Sequence, residues 1–204
     1  SLIQDKLFQF LWHDRRPKIK REVLYSDYEN GGLRMTNISN KCKSLKVAWV
    51  PRIIKSVRNG GKLHTYLQSC IHPIDLEILF SSNLKSSDID KVLPNLPNLF
   101  WKQVIEAWCD CCYHNPNSER DVLSQSIWLN SHIQIGNTPI YWPNFIRKGI
   151  ITVQDLVKDN GSFYTYNEFT RKYAIQCNVV SYYGLVSAIL RKWPNLFNGA
   201  FNPL

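Results

Sequence analysis

The spacing of apolar side chains along the chain predicts a mainly α, multi-helical protein. Residues 2–12 make an apolar, helix-like run. In residues 63–80, Leu63, Leu67, Ile71, Ile74, Ile78 and Leu79 recur with weak helical spacing, broken by Pro73. Phe100, Trp101, Val104, Ile105 and Trp108 recur at three and four, so a strong helix is expected over 99–113. Ser118 three residues before Asp121 resembles a helix start, and Asn178 is placed to cap a last helix over 179–193. Thr152 with Asp155, and Thr165 with Glu168, are capping-box patterns for short helices ending near Lys158 and Tyr173. Residues 133–135 and 140–142 flank Gly136-Asn137, which predicts one short β-hairpin. Gly31-Gly32 after Asn30, and Asp159-Asn160-Gly161, read as turns.

Residues 81–98 are rich in Ser and Asn and hold Pro94 and Pro97, the composition of a linker. Three parts are therefore expected: a segment over 1–62, a connecting stretch over 63–98 with its linker at 81–98, and a compact domain over 99–204.

Charge sharpens this division. The 204 residues hold 25 Lys and Arg against 16 Asp and Glu, a net of +9. Residues 1–62 carry 14 basic and 5 acidic side chains, whereas the remainder carries 11 of each, so the whole excess lies in the first third. Such asymmetry points to a polyanion, most often nucleic acid. A solvated basic surface kept for solubility fits the charge alone equally well.

Two segments concentrate the cations. Arg15, Arg16, Lys18, Lys20 and Arg21 fall within seven residues around Pro17, which disfavours helix and predicts a bent connection. Over 38–62, a wheel at about 100° per residue sets Lys41, Arg52, Lys55, Arg58 and Lys62 against Leu45, Trp49, Val50, Ile53, Ile54 and Val57. Asn37 can cap that helix. Lys43 and Lys46 land on the apolar side, and Pro51 is expected to kink the helix or begin a second one. Trp49 lies mid-stripe, which favours the core over a base-stacking platform.

Catalytic chemistry is sparse. Cys109, Cys111, Cys112 and His114 offer four zinc ligands within six residues. Structural zinc sites use two separated ligand pairs, so a Cys-rich helix end with buried thiols is the plainer reading. The six cysteines have poor spacing for a disulfide framework and read as reduced thiols of an intracellular protein. His13, His64, His72, His114 and His132 are scattered and lie in no catalytic motif. Nucleophile-elbow, phosphate-loop and zinc-protease motifs are missing, as is a carboxylate pair for two-metal chemistry. No catalytic residue, metal ligand or cofactor is assigned. There is no apolar run long enough to span a bilayer, so no membrane partner is expected. The chain begins at Ser1 without a basic-then-apolar leader, so no secretory signal is expected, and the missing initiator Met suggests a fragment.

An ordered set of short motifs carries a family likeness. Phe10-Leu11-Trp12, Arg16-Pro17-Lys18-Ile19, Leu24, Gly31-Gly32-Leu33, Asn37-Ile38 and Leu45 through Trp49 to Arg52 come first. Trp101-Lys102, Ala107-Trp108, Ser126-Ile127-Trp128-Leu129-Asn130, Lys148-Gly149-Ile150, Asp155-Leu156, Gly161-Ser162-Phe163, Tyr182-Tyr183-Gly184-Leu185 and Ala188-Ile189 before Trp193 follow. The string resembles the region just downstream of the reverse transcriptase core in open reading frame 2 of LINE-type non-LTR retrotransposons. The likeness covers nearly the whole chain apart from about residues 62–97. It implies a parent that is an RNA-directed DNA polymerase, and a helical downstream region that helps hold template RNA and target DNA against the polymerase core. The family's Y-x-D-D catalytic motif is not matched, and Pro51 departs from its uninterrupted helix before Arg52. The Cys109 to His114 cluster is earlier and more compact than the family's C-terminal Cys/His cluster. The resemblance implies a nuclear and cytoplasmic protein.

The expectation is therefore an accessory nucleic-acid-binding and scaffold segment without an active site of its own. Arg15, Arg16, Lys18, Lys20 and Arg21 would meet phosphate first, then Lys41, Arg52, Lys55 and Arg58. The alternative is a protein-interaction module whose Trp101, Trp128, Trp142, Tyr182 and Tyr183 dock on the polymerase core of the same polypeptide or on a host factor.

Overall fold

The computed structural model describes residues 2–13, 15–16, 19–58, 61–96 and 98–194, and of residues 57 and 58 the backbone only. The described chain is mainly α, with one two-stranded hairpin, as expected. In order it runs α1 (Leu2–Trp12), α2 (Arg21–Tyr25), α3 (Ile38–Val47), α4 (Trp49–Arg58), α5 (Lys62–Ile71), α6 (Leu76–Ser81), α7 (Ile89–Val92) and α8 (Leu99–Cys112). Then come α9 (Glu119–Leu123), β1 (Gln134–Ile135), β2 (Thr138–Pro139), α10 (Pro143–Ile146), α11 (Tyr166–Tyr173) and α12 (Val179–Lys192).

Local chemistry accounts for most boundaries. Asn37 accepts from the Asn40 amide at 3.1 Å and starts α3, and Asn178 accepts from the Val180 amide at 2.8 Å and starts α12. Pro51 occupies the first turn of α4, where its missing N–H has no intrahelical partner to lose. The break at Ala48 therefore divides the single stripe read over 38–62 between α3 and α4, and Lys62 falls on α5. Gly136 and Asn137 both have positive φ, at 61° and 64°, which suits the right-handed twist of a two-residue hairpin turn. The strands are shorter than the apolar pattern suggests, because Pro139 has no N–H to extend the ladder. Thr152 and Asp155 do cap a turn, but it is a 3-10 turn ending at Leu156, after which Val157 bridges to Phe163.

A continuous core joins Val50 and Ile53 of α4 and Leu67 and Ile71 of α5 to the side chains of α8 and the residues that follow. Trp128 and Phe169 are fully enclosed there. The Trp128 indole donates to the Ile150 carbonyl at 2.8 Å and its ring meets Phe145 edge-on. Phe169 lies 4.6 Å from the Tyr182 ring. Phe8 and Leu24 are buried outside this cluster, between α1 and α2.

The stretch read as a linker packs into this body. Ser82, Asn83, Leu84, Asp88, Ile89 and Leu93 are buried. The Asn83 side chain donates to the Gln125 side chain at 2.6 Å and to the His114 carbonyl at 2.9 Å. Ser131 donates to Asp88 at 2.6 Å. Ser, Asn and Asp here satisfy the polar groups of neighbouring loops, and composition alone does not distinguish that role from a solvated linker.

Candidate nucleic-acid interface

The predicted basic residues stand on two supports. The first is the α1–α2 connection. Gly32 has no room for a side chain, since a Cβ there would lie 1.9 Å from the Ser26 carbonyl oxygen. The backbone after α2 can therefore fold back, and the Leu33 and Met35 amides both reach the Leu24 carbonyl. The Tyr25 ring then meets Phe8 edge-on, and the Tyr25 hydroxyl meets the Gln4 side chain. Arg21 is drawn into this packing. Its guanidinium lies 4.4 Å over the Phe8 ring and 3.1 Å from Asp5. It pins α2 across α1, and is less available to phosphate than the expectation had it.

Arg15, Arg16 and Lys20 are exposed on the connection itself. Among the described residues, no carboxylate lies within ion-pair reach of any of them. Lys18 lies outside the described residues. Ser39 of α3 donates to Gln4 of α1 at 3.1 Å, which ties the first support to the second.

The second support is α3 and α4. Lys41 is exposed on α3. On α4, Val50 and Ile53 are fully buried while Arg52 and Lys55 are exposed, as the wheel predicts, but Ile54 and, on α3, Leu45 are exposed although the wheel sets them on the apolar face. The Arg58 side chain lies outside the described residues. Lys43 breaks the pattern because it faces α8, where its ammonium meets Asp110 at 2.8 Å. The Lys43 hydrogen bond holds the Asp110 carboxyl below its usual range. Trp49 is half-buried, with its ring edge-on to Phe100 and Trp101 at 5.8 and 5.9 Å. The Arg52 guanidinium lies 5.2 Å over that ring.

The aromatics expected for docking are largely interior. Trp101, Trp128 and Tyr182 are buried, and Trp142 and Tyr183 are half-buried. The exposed apolar face lies instead on α1, where Ile3, Leu7, Phe10 and Leu11 are uncovered and Phe8 alone is buried. Periodicity marks α1 as apolar but does not reveal how much of its stripe a neighbour covers.

Cys109 is buried, and burial pushes its thiol up to about 12. His114 has both ring nitrogens engaged, by the Cys112 carbonyl at 3.0 Å and the Gln125 side chain at 2.9 Å. Among the described residues, no three His, Cys, Asp or Glu side chains converge to hold a metal ion. His132 stacks on Tyr113, and burial lowers its affinity for a proton. All six cysteines are free thiols. No described helix is long and apolar enough to cross a membrane.

Set beside known proteins, the chain matches no protein-family model, no curated protein and no solved structure.

Proposed function

We propose that this chain is an accessory nucleic-acid-binding and scaffold segment of a LINE-type reverse transcriptase, working beside the polymerase core of the same polypeptide on template RNA and target DNA. One observation carries the binding part of the reading. Arg15, Arg16, Lys20, Lys41 and Lys55 are exposed and lack a carboxylate partner among the described residues. Cations in that condition can neutralise phosphates and so release the counterions condensed on a nucleic-acid backbone into solution. Such contacts position a nucleic acid without reading its sequence. The resemblance supplies the LINE-type assignment.

The test is fluorescence anisotropy of residues 1–204 with a structured RNA and a duplex DNA from low to high salt. A linear fall of log affinity with log salt is expected. Changing Arg15 and Arg16 to Glu should reduce that slope by about 2, one for each lost phosphate contact. A weak response that ignores salt would overturn the reading. The docking alternative now rests on the exposed α1 face, where Phe10 is 79% exposed, and not on the aromatics of 99–204.

A further inference from the structure

The start of α8 carries an aromatic corner that a phosphate clamp does not require. Asn98 accepts from the Phe100 amide at 2.8 Å and sets the first turn of the helix. That turn sets the adjacent Phe100 and Trp101 rings edge-on at 5.0 Å, with Trp101 only 7% exposed and Phe100 40% exposed. Trp49 of α4 closes the corner, edge-on to both rings. One turn further along α4, Arg52 lays its guanidinium over Trp49, and Lys55 follows at the next turn, exposed. An open ring, a flat cation and a point charge thus occupy neighbouring positions on two packed helices.

We infer that the corner of Trp49, Arg52 and Phe100 stacks unpaired nucleotides, an inference that rests on the nucleic-acid reading above and narrows it to single strands. A duplex offers this corner only phosphates, because its base faces are already stacked on one another. An unpaired base brings two free π faces, and stacking on an aromatic side chain contributes about 1–3 kcal/mol per base whatever the base. Phe100 supplies the ring. Arg52 supplies a planar cation that stacks on a base or forks onto the adjoining phosphate. Lys55 meets the backbone one step on. An uncharged apolar partner would leave the two cations at its seam with their charge unanswered.

The experiment measures the anisotropy of labelled oligo(rU), oligo(dT) and a blunt RNA duplex of equal length with the whole chain at one salt concentration. Phe100→Ala should weaken both single strands by about 5-fold or more and leave the duplex unchanged. Phe100→Trp should restore single-strand binding, and matching thermal melts exclude a folding defect. If Phe100→Ala changes nothing, or weakens duplex and single strands alike, while reversal of Arg15 and Arg16 still lowers affinity, stacking is overturned and the clamp stands. If the unaltered chain binds none of the three, the nucleic-acid reading fails and stacking fails with it.

Discussion

Residues 1–62 and the body that follows differ in charge balance and in how much apolar surface their helices bury. In the body, Lys91, Lys102 and Lys158 hold Asp88, Asp90 and Glu168 at 2.6, 2.5 and 2.7 Å. In the first third, Arg21, Arg34 and Lys43 hold Asp5, Asp27 and Asp110 at 3.1, 2.7 and 2.8 Å, while Lys6, Arg15, Arg16, Lys20, Lys41, Lys46, Lys55 and Lys62 have no such partner among the described residues. Its own five acidic residues cannot neutralise its 14 basic ones, so the excess faces solvent, an external anion or, as Lys43 does with Asp110, a carboxylate of the body. Burial divides the same way. The 14-residue α12 buries Tyr182, Leu185, Val186, Ala188 and Ile189, whereas the 11-residue α1 buries only Phe8. Apolar content sets how much surface a helix can bury, and its neighbours set how much it does.

That contrast breaks first at the core. Trp128→Ala should cost about 3–5 kcal/mol, since it empties a fully enclosed site and strands the Ile150 carbonyl. Urea unfolding reads this, and a loss below about 1 kcal/mol would mean that the body is not packed as described.

Asp155→Ala should cost about 1–2 kcal/mol by the same assay. Its carboxylate accepts from the Ile151 and Thr152 amides at 2.9 and 2.7 Å and from the Thr152 hydroxyl at 3.0 Å.

Acid sharpens the comparison further. Lys158, with the Thr165 amide and hydroxyl, holds the Glu168 carboxyl at about 2, below its ordinary 4.5. The folded value is the lower one, so this stabilisation is complete above about pH 4.5 and is lost as pH falls toward about 2. Glu168→Gln should remove that part of the acid limb in denaturation measured across this window. An unchanged limb would mean that the contact is not held in solution.

Smaller still is the tie between the regions. A double-mutant cycle on Lys43 and Asp110 should return about 0.2–1 kcal/mol, decreasing with salt, because both groups are roughly 40% exposed. A coupling that salt does not change would argue against an exposed pair. Least of all, Arg16→Glu should move stability by under about 0.5 kcal/mol, although it is expected to weaken RNA binding. A large loss of stability would turn the basic connection into part of the packed structure.

Much of this was legible in the residues themselves. Capping side chains announce helix starts at Asn37, Ser118, Thr165 and Asn178 because one oxygen meets one nearby amide, a strictly local matter. The face of α4 was legible because 3.6-residue periodicity sorts Val50 and Ile53 from Arg52 and Lys55. The buried course of residues 82–93 was not, since its partners, Gln125, His114 and Ser131, lie some thirty to forty-six residues further along the chain.

The candidate interface divides along the same line. A surplus of positive charge follows from counting, because no fold can neutralise 25 cations with 16 anions. Which cations remain available is a tertiary outcome. Arg21 is taken up by Phe8 and Asp5 and Lys43 by Asp110, whereas Arg52, laid over Trp49, stays exposed. The sequence alone determined the helical class, the caps and the surplus of positive charge, since these depend on neighbours within a turn or on composition. Only the tertiary structure decided which aromatic rings are enclosed and which cations stay unpaired, because both depend on what packs across from them.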